Sequence, residues 1–483
     1  MIPGRPFAVE DHLMRNPHAF SGALLAILIC AAQAAAQSGP VTGPGAGAGP
    51  SPGPSPSGRL LLLTAPDARP APAAAKANGF VWDNRPSFRY GDWFQLDVRA
   101  LLEVNLTSAD PDLTGEGASF DWGRRRIGIE GTVTKYVEYE VSYGFEESTD
   151  ATVEWRDAYV NVRPAAYAQV QGGKFKIPFG YERLTGPRSL DFVYRSRVSD
   201  SLTPGRSLGV MAHGRAFKRV LRYAVGIFED DGDQPPELEP VEPLPGEEPA
   251  QQGRTWAARA TVSPLRLTSM PGRYNNLEVG GAYTRGTVPE GRNHLQGDTA
   301  FGGEFFDRQY YTKGPRTRFG LEASWAIGPA SIAAEYIVSR DAREGQGIGD
   351  EVQLDGDLPE IEGRGWYIAG TWVVTGENRD GGVNPKRPLF QGGFGAVEAV
   401  ARYEQLRFAS AGPPSDPPSR SPRAANVAPN GDRAWTVGVN WYVNRWAKLR
   451  FNVVNETLDD PGLGPAPGSP TLRTMVTQFG IGF

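Results

Sequence analysis

Phe94, Leu96, Val98, Ala100, Leu102, Val104 and Leu106 form an apolar series at every second position, with Gln95, Asp97, Arg99, Glu103 and Asn105 standing between them. Successive side chains of an extended chain point to opposite faces, so this run is an amphipathic strand with one greasy and one wet side. Soluble strands average five or six residues, whereas a tilted strand crossing a bilayer needs roughly 9 to 11. This run is long enough to cross.

The rhythm recurs along the chain. Val137, Tyr139, Val141, Tyr143 and Phe145 alternate with Glu138, Glu140, Ser142 and Glu146, and Phe319, Leu321, Ala323, Trp325 and Ile327 repeat the pattern. Ile332 to Val338, Trp366 to Val374, Trp435 to Val443 and Leu449 to Val453 follow it again. In a sandwich of two sheets the apolar faces meet in a core and the strands are shorter. In a membrane barrel the apolar face meets lipid, the polar face lines water, and aromatic residues gather near strand ends. The expected fold class is therefore all-β, a transmembrane antiparallel β-barrel of about 16 strands, enough to leave an aqueous lumen.

Connections support it. Short ones such as Thr134-Lys135-Tyr136, Arg163-Pro164-Ala165 and Asn444-Arg445-Trp446 alternate with longer polar ones such as Ser108 to Phe120 and Phe408 to Arg433. Two short-end connections, Ser263 to Asn276 and Thr375 to Phe394, are longer than a hairpin needs and strain the strand count. With 60 Gly and 42 Pro, about a fifth of the chain, a helical bundle is excluded. A formal net charge of -5 gives no global basic field, so no nucleic-acid partner is expected.

Ahead of the barrel stand two other segments. Residues 1–36 read as a signal peptide, with Arg5 and Arg15 before the apolar run Ala23 to Ala32 and the small residues Ala34 to Ala36. Residues 37–79 are rich in Pro, Gly and Ala and read as a linker, leaving 80–483 as the barrel. Cleavage near Gln37 removes Cys30, the chain's one cysteine, as suits passage through an oxidising compartment. The chain closes on Phe479-Gly480-Ile481-Gly482-Phe483, in which Phe479, Ile481 and Phe483 look like the terminal signal by which barrel assembly machinery recognises its clients.

Phe120 to Gly131, the strand Lys135 to Phe145 and Gly173-Lys174-Phe175-Lys176-Ile177-Pro178-Phe179-Gly180 resemble the phosphate-selective porin O and P family. Phe319 to Pro329, Tyr367 to Glu377 and Gly438 to Asn444 are similar to its later strands, and the resemblance covers most of Phe80 to Phe483. It implies a trimeric outer-membrane porin of 16 strands whose third outer loop folds inward, with cationic side chains passing small anions, phosphate or polyphosphate among them, down their gradient. The family's paired arginines match Arg124 and Arg125, and its loop lysine matches Arg188. Phosphate-specific members use a lysine cluster, however, and here only Lys135, Lys174, Lys176, Lys218, Lys313, Lys386 and Lys448 follow the linker.

The chemistry of anion passage needs donors that replace part of a hydration shell yet release the ion, and the planar fork of Arg suits phosphate. Arg183, Arg188, Arg195 and Arg197 crowd the expected inward loop, preceded by Lys174 and Lys176 and answered by Glu182, Asp191 and Asp200. With Arg124, Arg125 and Arg126 they are the candidate constriction, although strand phase puts Arg124 and Arg126 on the wet face and Arg125 on the other. Arg99, Arg318, Arg402, Lys448 and Arg450 are candidate pore-wall cations by the same parity. Each of these has a plainer reading as the partner of a wall carboxylate such as Glu103, Glu130 or Glu322. The acidic, Pro-rich stretch Glu229 to Glu248 reads as a solvated loop.

Beyond residue 36 the histidines are His213 and His294, and no His-Glu-x-x-His, Cys-x-x-Cys or Gly-x-Ser-x-Gly spacing occurs, so no catalytic residue, metal ligand or cofactor is expected. Two other roles stay open: a general diffusion pore without a substrate site, and a structural or adhesive outer-membrane barrel. Circular dichroism of the detergent-solubilised chain should be dominated by strand; a largely helical spectrum, or a chain freely soluble without detergent, would refute the barrel.

Overall fold

The computed structural model describes residues 78–483 apart from 83, 110–117, 146–153, 233–252, 269, 273, 293–294, 307–309, 348–355 and 413–425. The expected signal peptide, nearly all of the expected linker, most of the acidic stretch and His294 lie outside the described residues. In chain order the strands are β1 (Gly79–Trp82), β2 (Pro86–Tyr90), β3 (Phe94–Ala109), β4 (Ser119–Val133), β5 (Val137–Gly144), β6 (Glu154–Ala165) and β7 (Ala168–Lys176). Then come β8 (Arg206–Ala216), β9 (Leu221–Phe228), β10 (Thr255–Val262), β11 (Glu278–Arg292), β12 (Gly297–Asp298), β13 (Glu304–Phe306), β14 (Tyr311–Ile327) and β15 (Ala330–Arg343). The last are β16 (Leu358–Val373), β17 (Ala396–Ser410), β18 (Asn430–Tyr442), β19 (Ala447–Leu458) and β20 (Thr471–Gly482).

Sixteen of these described strands, β3 to β11 and β14 to β20, pair antiparallel with their chain neighbours. The ring closes where β20 pairs β3, from Thr474 opposite Ala109 to Gly482 opposite Leu101. Phe483 extends the seam, its N–H donating to Ala100 O at 3.1 Å and its own carboxyl-terminal O accepting from Ala100 N at 3.2 Å. Closure is what a bilayer demands, because an open edge in hydrocarbon would leave N–H and C=O groups without partners.

The faces are inverted relative to a soluble protein. Asp97, Glu103, Asn105 and Thr107 of β3 are buried toward the lumen while Leu106 is exposed, and in β10 Thr255 and Arg259 are buried while Trp256 stands out at 61% exposure. Close backbone approach occurs where an aromatic ring must cross a strand. At Gly131 a Cβ would lie 1.9 Å from Gln95 O, and the space it vacates lets the Tyr139 hydroxyl donate to that carbonyl at 3.2 Å.

Three features depart from the sequence expectation. The barrel wall begins at Phe94, and the stretch before it forms the hairpin β1–β2, which continues the edge of β3 below the end of β20 (Ser87 opposite Asp97, Tyr90 opposite Phe94). The two long short-end connections do not disturb the strand order: one holds the 3-10 turn Pro264–Leu267, and the other folds back and carries Arg379 into the lumen. Finally, inward positions of β15 to β20 are apolar in part. Ile337, Ile361, Leu406, Phe408, Leu458 and Leu472 are sealed, and Phe306 of β13 stacks on Phe408 with ring centroids 4.5 Å apart. The lumen contains a hydrophobic core of its own, which two-residue alternation could not foretell. Replacing Gly131 with Val should cost about 1 to 3 kcal/mol through overpacking, read as a lower temperature for the folded-to-unfolded gel shift; an unchanged shift would refute the close-approach account.

Candidate pore constriction

Between β7 and β8, residues 177–205 leave the wall and cross the interior. Gly180 makes the turn at φ +73°, a backbone conformation that suits glycine, and opens the four-residue helix α1 (Tyr181–Leu184); a second short helix, α2 (Arg197–Leu202), follows. Phe179, Phe192, Val198 and Leu202 of the crossing are buried against the lumen core on β15 to β17. Apolar burial brings the segment across.

Charge then fixes it at named points. Glu335 of β15 accepts the N–H groups of Tyr181 at 2.6 Å and Glu182 at 2.9 Å, and the Tyr367 hydroxyl at 2.7 Å. Arg450 donates to the Leu190 and Phe192 carbonyls, both at 3.0 Å, while pairing with Glu103 at 2.7 Å. Lys448 reaches Arg188 O at 2.7 Å and Leu190 O at 3.0 Å. Arg402 bonds Tyr194 O, Arg195 O and Glu404, and Arg379 holds Asp191 and, at 2.8 Å, Glu398. Arg402, Lys448 and Arg450 do face inward, as strand parity requires, but their donors are committed to the loop.

The remaining expected residues divide by position. Arg124 and Arg126 face inward, Arg124 pairing with Glu103 at 2.6 Å and Arg126 opposing Leu101 and Gly144. Arg125 stands on the outer face opposite Leu102, with its guanidinium 5.7 Å from the Trp122 ring centroid. Lys174 also stands outside, opposite Ala158 and the exposed Leu208, because β7 keeps its two-residue phase until Phe175 turns inward. Arg125 and Lys174 are therefore corrected out of the constriction. Lys176 is buried and donates to Arg183 O at 2.5 Å. Arg197 is buried too, with its backbone N–H on Glu404 and its guanidinium on Glu456 at 3.1 Å. Arg318 is sealed beside Asp231, and Phe479 and Ile481 take the outward face of the closing strand while Phe483 packs near Trp82.

Several of the expected cations stay partly accessible. Arg99 keeps 34% of its side-chain surface, between Glu130 at 2.9 Å and Glu140 at 2.7 Å, and Arg183 keeps 25%, whereas Arg402 and Arg450 keep at most 1%. Arg99 belongs to the wall strand β3 and Arg183 to the crossing segment. Within the crossing segment the Arg195 guanidinium donates to the Glu182 and Thr185 carbonyls, at 3.2 and 3.0 Å. Burial, and after it the charges of Arg124 and Arg183, pull the Arg195 pKa down to about 9 against the opposing charges of Asp200 and Glu182, so the group stays cationic at neutral pH. Lower down, Arg188 donates to Arg445 O; burial and the charges of Arg99, Arg85 and Arg445 bring its pKa to about 10.

Sequence reasoning missed several participants. Arg85, from the β1–β2 turn, reaches Asp97 at 2.8 Å and Glu130 at 2.5 Å; nothing in a segment read as the start of the barrel marks it as a mouth residue. Arg316, Arg259, Arg379 and Glu335 were missed as well. The first three were legible as inward or loop cations, but their carboxylates come from other strands and loops, Asp231 and Asp341 for Arg316, Glu322 for Arg259, and Asp191 and Glu398 for Arg379. His213 lies buried with its Nε2 3.0 Å from Asn161 Oδ1.

The family described as "Phosphate-selective porin O and P" matches residues 94–479. Porin O of Pseudomonas aeruginosa is 26% identical over 162 residues, 30% of this chain and 33% of that protein, so the match spans about a third of that relative. An uncharacterized protein of Caulobacter vibrioides is 25% identical over 413 residues, 83% of this chain and 75% of that one. Among solved structures, OmpF of Salmonella typhi, in complex with daunomycin, shares the fold with a TM-score of 0.50 at 12% identity, over 82% of this chain and 99% of that one.

Removing one partner of a buried ion pair costs roughly 3 to 5 kcal/mol. Arg450→Leu should therefore lower the unfolding temperature of the barrel and, by freeing the Leu190 and Phe192 carbonyls, give larger and noisier single-channel currents. Wild-type currents from this variant would show that the clamp does not hold the loop.

Proposed function

The chain belongs to the phosphate-selective porin O and P family, an outer-membrane channel family, and from that premise we propose that it conducts small inorganic anions of the phosphate class through the passage beside Arg195. The observation that carries the reading is that Arg195 of the crossing segment is only half-buried and meets the Glu182 and Thr185 carbonyls, with no ion pair among the described residues, which leaves its charge for a passing anion. Arg188, close to Arg99, Arg85 and Arg445, would form a second step nearer the short-turn mouth. An ion moving between two such steps exchanges hydration for guanidinium contacts and is bound weakly enough at each to leave. No chemical conversion is involved.

A general diffusion pore is the competing reading, favoured by the carboxylates that answer the wall arginines, Glu103 for Arg124 and Glu130 and Glu140 for Arg99. The family likeness also supports three proposals: a homotrimer, export by residues 1–36 with 37–79 as a linker, and recognition of Phe479, Ile481 and Phe483 by the assembly machinery.

Reversal potentials in a potassium chloride gradient should be anion-selective. Arg195→Glu and Arg188→Glu should each lower the anion-over-cation permeability ratio by about fivefold, which corresponds to about 1 kcal/mol. Added phosphate should block chloride current in the wild type more than in either variant. Unmoved reversal potentials would remove the constriction; a shift without phosphate block would favour the general pore.

A further inference from the structure

The arginines inside the barrel are absorbed by the loop and the passage, but a second set faces the opposite way. Arg340 of β15, Arg364 of β16, Arg407 of β17 and Arg433 of β18 lie on the outward face near the long-loop end. The register shows it: Arg364 opposes Val338, which opposes the exposed Phe319, and Arg433 opposes Gln405, which opposes Trp366. All four are exposed. One residue pair closer to the bilayer centre, on the same face, Trp366, Tyr403 and Trp435 form a continuous aromatic row with ring centroids 5.5 and 4.7 Å apart. An aromatic girdle marks the boundary of the hydrocarbon, so the guanidinium groups stand at headgroup depth.

Within this patch Arg364 and Arg407 are direct cross-strand partners. Like charges in that position repel, and the nearby carboxylates do not balance them. Glu362 is shared by Arg340 at 2.9 Å and Arg364 at 3.5 Å, Asp459 takes Arg433 at 3.2 Å, and Glu360 is the next carboxylate along β16. Arg407 has no ion pair among the described residues. The opposite side of the barrel differs: near the long-loop end, outward positions of β3, β4 and β6 carry Leu106, Phe120 and Trp155, with Arg125 engaged by Trp122. Outward arginines also stand on β11 (Arg285) and β20 (Arg473), but the directly opposed pair Arg364 and Arg407 is set just beyond the girdle.

We propose that Arg340, Arg364, Arg407 and Arg433 form a binding site for the phosphate groups of lipid headgroups in the leaflet that this end of the barrel faces. A phosphate seated between Arg364 and Arg407 accepts paired N–H donors from both forks and turns their repulsion into a bridge. The acyl chains of the same lipid then lie along Trp366, Tyr403 and Trp435. The site is separate from the pore, because its residues face away from the lumen.

Native mass spectrometry of the full-length protein in detergent, with bisphosphorylated lipid A as the probe, tests this directly. The wild type should retain that lipid about tenfold better than its dephosphorylated form, and Arg364→Gln with Arg407→Gln should abolish the preference, while the Lys pair keeps part of it. If the Gln pair fails to assemble, Arg407→Gln alone should still weaken retention about threefold. Millimolar inorganic phosphate should leave the bound lipid in place. Undiminished preference in the Gln variants, equal retention of the dephosphorylated lipid, or displacement by inorganic phosphate would each overturn the proposal. Ion selectivity of the Gln pair should equal that of the wild type; a shifted reversal potential would put these arginines in the conduction path and overturn it as well.

Discussion

Every other feature of this chain depends on the seam between β20 and β3. A strand in hydrocarbon has no water to satisfy its backbone, so each outward apolar face is tolerable only if the sheet has no edge. Pairing from Thr474 opposite Ala109 down to the contact of Phe483 with Ala100 removes that edge. Once the ring is closed, polar side chains have one place to go. Asp97, Glu103, Asn105, Arg402 and Arg450 are forced into a shared interior where they meet partners far away in sequence.

That enforced meeting explains the loop. A segment crossing a water-filled lumen would lose conformational entropy with little return, yet residues 177–205 gain both an apolar floor and several charge-assisted bonds. The floor is the core around Phe408, Phe306 and Leu202; the bonds come from Glu335, Arg379, Arg402, Lys448 and Arg450. These groups come from β15 to β19 and the β16–β17 connection, while Ile177 and Leu184 of the loop pack against β7 to β10. The outward arginines of β15 to β18 share the same strands, whose inner face serves the loop and whose outer face meets lipid.

How much of this was visible beforehand differs from residue to residue. The strand phase of β3 and β4 correctly placed Arg99, Arg124 and Arg126 inward and Arg125 outward, because a two-residue period carries that information without any tertiary knowledge. Lys174 shows the limit. Its proximity in sequence to the loop suggested the pore, but β7 holds its register with β6 and β8 through that residue and turns it toward lipid. Arg85 shows another, since its role comes from a hairpin whose docking is decided by the free edge of β3.

The amino-acid order alone determined that the chain is a strand-rich barrel with polar interior and apolar exterior, because alternation is a local property that each strand displays by itself. It also marked the segment after Gly180 as the cation-rich one. Only the closed structure decided which of those cations meet wall carboxylates and which meet the loop's own carbonyls. That division depends on which carboxylate or carbonyl lies opposite, as Glu456 does for Arg197 and the Glu182 carbonyl for Arg195, and such partners are brought together only by curvature and closure of the whole sheet.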